Sequence, residues 1–297
     1  MVKKIICFGE MLWDVFPKES IAGGAPMNVA LHLQHLGLDV KMISKVGDDK
    51  PGRKLLAFTE KYGLNQELIQ VDKEYPTGSV IVDDQDKENI KYEIVKPVAW
   101  DHIQWTEDIE KVARNVNAII FGSLAAREEE SKETLFKLLE TPVLKILDIN
   151  LRPPYYTADL LDRLMTKADI LKINEDELTL LANFYDLPNQ MDAALEKLSE
   201  LFSFELVCIT LGSKGAAIYQ EGEIIKHPGY PVEVQDTVGS GDAFLAGFVS
   251  KYLAKESPEK ILDFACALGA LVATFNGGTP QYNDEDIAAI KSSEPSE

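Results

Sequence analysis

Short apolar runs of β-forming residues recur along the chain at 5–8, 40–46, 118–121, 143–149, 169–173 and 206–210. Runs of this length and composition suit buried central strands. Between them the apolar spacing becomes helical. Met27, Ala30 and Leu31 precede Gly37, and Leu178, Leu181 and Ala182 follow an acidic first turn at Glu175 and Asp176, the placement a helix N-terminus favours. Strand and helix in alternation predict an α/β fold with a largely parallel sheet. Two helices at 240–253 and 258–275 are expected to close the chain, the second apolar on almost every side and therefore buried. Residues 291–297 read as a frayed tail.

One region breaks the alternation. Residues 77–83 and 90–95 are two β-like runs joined by the charged turn Asp84-Gln85-Asp86-Lys87-Glu88-Asn89, with no helix between them. They predict an antiparallel hairpin standing off the main sheet. A hairpin needs company to be stable, and residues 12–16 can supply another strand. The region is either a small β lid beside a large α/β body or a surface hairpin without a role. No repeat or Pro/Gly/Ser-rich linker divides the chain, so 1–297 is expected to form a single domain.

Composition narrows the function. The formal net charge is −19, from 30 Lys and Arg against 49 Asp and Glu. A nucleic acid or an acidic membrane surface needs basic patches that this chain lacks. An anionic substrate must instead be held locally, by backbone N–H groups, helix N-termini or a metal ion. Cys7, Cys208 and Cys266 are odd in number and set among apolar neighbours, as buried thiols in a reducing compartment would be. The N-terminal apolar stretch breaks at Glu10, and the longest apolar run, 264–273, is far below a membrane span. A cytoplasmic protein is expected.

The most informative segment is Asp236-Thr237-Val238-Gly239-Ser240-Gly241-Asp242-Ala243-Phe244-Leu245-Ala246-Gly247. Two glycines at the start of an apolar helix let several N–H groups converge into an anion-binding nest. Asp242 beside such a nest could take a proton from a hydroxyl, which suggests phosphoryl transfer to an alcohol. The alternative is that Ser240 or Asp242 merely caps the helix. Phe244 stands where a dinucleotide fingerprint needs its third glycine, and there is no P-loop.

Three further segments carry candidate chemistry. Gly23-Gly24-Ala25-Pro26-Met27-Asn28 opens a helix with Pro26 in its first turn; with Asp14 it offers hydrogen bonds to several hydroxyls, or is a plain turn. Asn174 and Glu177 follow a strand with three acids in the first helical turn. They either cap that helix or hold a hard cation such as Mg²⁺ through water. Thr210-Leu211-Gly212-Ser213-Lys214-Gly215 either wraps a nucleotide or makes a tight turn.

At these four segments, and in order along the whole chain, the sequence resembles the ribokinase-like, or PfkB, family of carbohydrate kinases. The resemblance implies a three-layer sandwich with a central mostly parallel sheet and a small β-sheet lid from about 11–24 and 76–100. It implies ATP as phosphoryl donor, Mg²⁺, a sugar substrate, and a homodimer through the lid. Carried over by position, Asp242 is the general base, and Gly239, Ser240 and Gly241 form the anion hole. Asp14, Gly23, Gly24 and Asn28 hold the sugar, while Asn174, Thr210, Gly212, Gly215, Gly239 and Gly241 hold the nucleotide. Asn174 and Glu177 attend Mg²⁺ through water, and carbonyls near Asp236, Thr237 and Gly277 hold a monovalent cation, K⁺.

Within the family, Gly9 to Pro17, the stretches Tyr92-Glu93-Ile94 and Ala99-Trp100-Asp101, and Asp148-Ile149-Asn150-Leu151-Arg152 resemble bacterial fructokinases more than ribokinases. Kinases of 2-keto-3-deoxygluconate share the Asp-x-Asn-x-Arg pattern, but their lid usually adds an arginine for the carboxylate, and residues 75–105 contain none. A neutral hexose is therefore expected, with Arg152 contacting substrate or making a structural ion pair. A sugar-binding regulator on the same fold would have no need of Asp242 with its Gly-Ser-Gly.

Overall fold

The computed structural model describes residues 2–83 and 91–292; the charged turn Asp84 to Asn89 and residues 293–297 lie outside them. Two compact units divide the chain, Met1–Val143 and Leu144–Glu297.

The first unit contains, in order, β1 (Lys4–Phe8), β2 (Leu12–Val15), β3 (Ser20–Gly23), α1 (Ala25–His35), β4 (Asp39–Gly47), α2 (Lys50–Lys61), β5 (Ile69–Asp72), β6 (Gly78–Asp83), β7 (Lys91–Ile94), α3 (Glu107–Ala113), β8 (Ala118–Phe121) and α4 (Glu129–Leu139). Strands β8, β1, β4 and β5 lie side by side and parallel. Ile5, Ile6, Cys7 and Phe8 are fully buried, because a parallel strand with helices on both faces has no solvent side. The other four strands form a separate sheet in the order β3-β2-β6-β7. It is mixed, since β2 pairs with β6 in parallel while both outer pairs are antiparallel. Leu12, Val80 and Val82 bury themselves on one of its faces with Phe16 and Ile94; Trp13 alternates to the other and donates its indole N–H to the Pro51 carbonyl at 3.1 Å.

Two aspartates, Asp49 half-buried and Asp72 buried, tie this sheet's approach segment down. Asp49 caps α2 through the Gly52 N–H at 2.7 Å and also accepts the Thr77 N–H and hydroxyl at 2.9 and 2.6 Å. Asp72 pairs with Lys45 at 2.6 Å and accepts the N–H groups of Glu74 and Tyr75.

The second unit contains β9 (Leu144–Asp148), α5 (Ala158–Lys167), β10 (Ile170–Asn174), α6 (Glu175–Tyr185), α7 (Met191–Phe202), β11 (Leu206–Thr210), β12 (Ala216–Gln220), β13 (Glu223–His227), α8 (Ser240–Leu253), α9 (Pro258–Ala273) and α10 (Asp284–Ser292). Strands β9, β10 and β11 are parallel, and β12 and β13 extend them antiparallel. The six strands and the hairpin expected from the sequence are present, as are α8 and the buried α9. The structure corrects the chain's end: Lys291 belongs to a third closing helix, α10, and is not part of a frayed tail. No helix among the described residues is long and apolar enough to cross a membrane. All three cysteines are buried and free, and burial pushes the Cys266 thiol up to about 12.

Candidate functional site

In the second unit the Gly-Ser-Gly-Asp segment forms the N-terminus of α8. Gly239 occupies the N-cap position in the left-handed region, φ 74°. A β-carbon there would run into the backbone of Gly278, so only glycine allows both the turn and the close approach. Ser240 N–H turns back to the Thr237 carbonyl at 3.3 Å, and Ala243 N–H makes the first intrahelical bond, to Gly239, at 2.8 Å. Gly241 and Asp242 follow in the first turn of α8, where backbone N–H groups point toward the helix N-terminus. Ser240 is not the capping residue, since its hydroxyl donates to the Gly269 carbonyl at 2.9 Å and ties α8 to α9. Asp242 stands in the first turn, half-buried.

Beneath this turn lies a charged group that reading along the sequence passes over. Lys172 on β10 is directly opposite Asp148 on β9. Its Nζ donates to both Asp148 oxygens at 2.9 and 3.2 Å, with both side chains less than a tenth exposed. A β-carbon on Gly241 would lie 3.6 Å from that Nζ. Burial alone would lower the Lys172 pKa, but Asp148, Glu177 and Asp242 together push it up to about 12. The ammonium is charged at any physiological pH.

Asn174 and Glu177 make a reciprocal capping box at the start of α6. The Asn174 side-chain oxygen accepts the Glu177 N–H at 2.9 Å, and Glu177 Oε2 accepts the Asn174 N–H at 2.9 Å. Glu177 Oε1 accepts the Leu151 N–H, also at 2.9 Å, which fixes the segment after β9. Burial raises the Glu177 pKa, with Lys172 pulling it the other way. Among the described residues no three His, Cys, Asp or Glu side chains gather into a metal-binding group. Each Glu177 oxygen already accepts one backbone N–H, so this donor set suits a hydrated Mg²⁺ carried by a triphosphate.

The remaining candidates in this unit fall into three places. The Thr210 to Gly215 loop closes on itself, Leu211 N–H to Gly215 carbonyl at 2.8 Å, and Lys214 pairs with Glu175 at 2.7 Å. Asp236 accepts the N–H groups of Val238 and Gly277, each at 3.0 Å, which brings Asp236, Thr237 and Gly277 together as a cation site of carbonyls would need. Arg152 is exposed and donates to the neighbouring Leu151 carbonyl at 3.0 Å.

In the first unit, Asp14 on β2 leans over Gly23 on β3. Any β-carbon at Gly23 would collide with the Asp14 carboxylate, and one at Gly24, φ 110°, would collide with the Glu10 carbonyl. Asn28 is buried in the first turn of α1, its N–H closing onto the Gly24 carbonyl at 2.9 Å. The structure therefore groups Asp14, Gly23, Gly24 and Asn28. It also places Arg127, which follows β8, against Trp100 with its guanidinium 4.0 Å from the ring. Arg127 bonds both Asp101 oxygens at 2.6 and 2.8 Å and the Val95 carbonyl at 2.8 Å. An arginine count limited to 75–105 omits this residue, which the fold supplies from outside that range, already matched by a buried carboxylate.

Residues 2–284 match the family described as pfkB family carbohydrate kinases. A fructokinase of Klebsiella pneumoniae is 30% identical over 92% of this chain and 94% of its own length. Among solved structures, a double mutant of the Vibrio cholerae fructokinase with fructose, ADP and a potassium ion bound matches with a TM-score of 0.84 at 22% identity, covering 98% of this chain and 99% of that one. A 2-dehydro-3-deoxygluconokinase of Thermotoga maritima matches with a TM-score of 0.86 at 20% identity, covering 99% of each.

Proposed function

The chain belongs to the pfkB family of carbohydrate kinases and is a sugar kinase, and we propose that it transfers the γ-phosphoryl group of ATP to a hydroxyl of fructose. The observation that carries the reading is the Asp242 carboxylate in the first turn of α8, next to the Gly239-Ser240-Gly241 turn that begins the helix. Asp242 removes the proton from the attacking hydroxyl as the oxygen bonds to phosphorus. Gly239, Ser240 and Gly241 accept the charge that develops on the transferring group. Asp14, Gly23, Gly24 and Asn28 orient the sugar, and the mixed sheet that carries Asp14 serves as a lid that excludes water. Asn174 and the Thr210, Gly212 and Gly215 loop hold the nucleotide.

Mg²⁺ would be held through water by Asn174 and Glu177 and supplies neutralisation of the β- and γ-phosphates. K⁺ would sit among the carbonyls near Asp236, Thr237 and Gly277 and steady the anion-hole turn. A homodimer through the lid sheet accompanies this reading, and gel filtration reports it.

Fructose is favoured over a sugar acid because Arg127 has its charge matched by Asp101, which leaves Arg152 alone among the candidates for a substrate carboxylate. The 30% identity to a fructokinase supports the same choice. The test is ADP release with Mg-ATP across fructose, ribose, 2-keto-3-deoxygluconate and glucose. Fructose is expected to lead in kcat/KM. A lead for the keto acid would make Arg152 a carboxylate ligand, and a lead for ribose would remove the fructokinase reading.

A further inference from the structure

We infer that Lys172 is a positioning residue for phosphoryl transfer, its ammonium pinned by Asp148 and set directly under Gly241 so that it holds the Gly241–Asp242 turn in its reactive geometry. The inference rests on the reading of Asp242 as the base.

Placement argues for it first. The β9–β10 register sets Lys172 beside Asp148, and the two bonds to Asp148 fix the direction of the ammonium. The 3.6 Å gap to the position of a Gly241 β-carbon leaves the α8 N-terminus almost in contact with it. An ammonium has three donors, and the bonds to the two Asp148 oxygens take up two of them. The third is left for the half-buried turn above.

Energetics argues for it second. A cation beside a helix N-terminus faces the positive end of the helix dipole, the unfavourable end for it. A buried ion pair contributes little net stability compared with a well-packed apolar pair. Lys172 is itself buried, 7% exposed, so an aliphatic residue would fill the strand position without a charge to desolvate. What an aliphatic residue cannot do is place a positive charge against Asp148 and close beneath Gly241. In a poorly solvated site that charge fixes where the Asp242 carboxylate sits.

The test uses the full chain with fructose and Mg-ATP. Lys172→Met is expected to lower kcat about a hundred-fold, on the scale of losing one electrostatic group from an active site, with KM for fructose and for ATP little changed. Lys172→Arg, which keeps the charge, is expected to recover about ten-fold of the loss. Lys172→Met leaves Asp148 buried without its cation, so the double variant Asp148→Asn/Lys172→Met, which removes both charges, keeps the test open if the single variant fails to fold. Folded variants with wild-type kcat would overturn the inference. So would a Lys172→Met defect confined to KM for ATP, which would make Lys172 a nucleotide ligand, or an Arg variant as impaired as Met. Asp242→Asn is measured in parallel: if it retains full turnover the base assignment fails, whereas an inactive Asp242→Asn beside a fully active Lys172→Met refutes the positioning role alone.

Discussion

Gly23 shows how a single missing side chain sets up a site. It lies opposite Leu12 in the β2–β3 pair, and the space its β-carbon would fill is taken by the Asp14 carboxylate. Gly23→Ala must therefore push Asp14 aside. We expect KM for fructose to rise by about ten-fold or more, because a displacement of about an ångström can cost two decades in a positioned site, while KM for ATP stays near wild type. Steady-state kinetics with each substrate varied in turn checks this; an unchanged KM for fructose would remove Asp14 from the sugar site. Residues of this kind were legible because their chemistry is local: Gly23, Gly24 and Asn28 are near neighbours, as are Gly239 to Asp242. Lys172 and Asp148 are 24 residues apart, and Gly241 is farther still. Only strand register and the α8 N-terminus bring them together. A lysine in an otherwise apolar strand run is the sequence signal for Lys172, while Asp148 stands in the Asp-x-Asn-x-Arg pattern.

At the scale of elements, strands with strong apolar runs were read correctly and weak ones were not. The β5 segment is four residues, β12 opens on two alanines, and β13 has two apolar residues between charged ones. Such strands form because a neighbour offers an edge, which no local pattern records. Helix α10 was not expected, although its acidic first turn, Asp284, Glu285 and Asp286, suits a helix N-terminus; Lys291 and Ser292 at its end fell within the stretch expected to fray.

The loop between β5 and β6 depends on two carboxylates. Burial works against the charged forms of Asp49 and Asp72, but hydrogen bonds from Thr77 and Gly52 to the first, and from Lys45, Tyr75 and Glu74 to the second, hold both below the ordinary carboxylate range. Each binds its proton more tightly unfolded than folded. Their contribution to stability is therefore complete above the unfolded pKa of about 4 and is lost as pH falls through the lower folded values. Thermal unfolding between pH 6 and 3 should show a falling Tm, with a shallower fall in Asp49→Asn. Parallel curves for the two proteins would exclude Asp49 as a contributor.

At the scale of the whole molecule, the proposed function asks a chain of net charge −19 to hold a triphosphate. The long-range field would oppose that substrate, so the proposed reaction relies on groups that act at contact distance: the N-terminus of α8, the Lys172 ammonium and the cation that ATP would carry. The fold alone does not choose the sugar, since a fructokinase and a 2-dehydro-3-deoxygluconokinase match this chain with TM-scores of 0.84 and 0.86. The common claim beneath every sugar assignment is that Asp242 removes the proton. The decisive measurement is the turnover of Asp242→Asn with saturating Mg-ATP and fructose, set beside fructose affinity measured by calorimetry on the same protein. The account predicts turnover lower by about two to four decades with affinity within a few-fold of wild type. Turnover within a few-fold of wild type would contradict it.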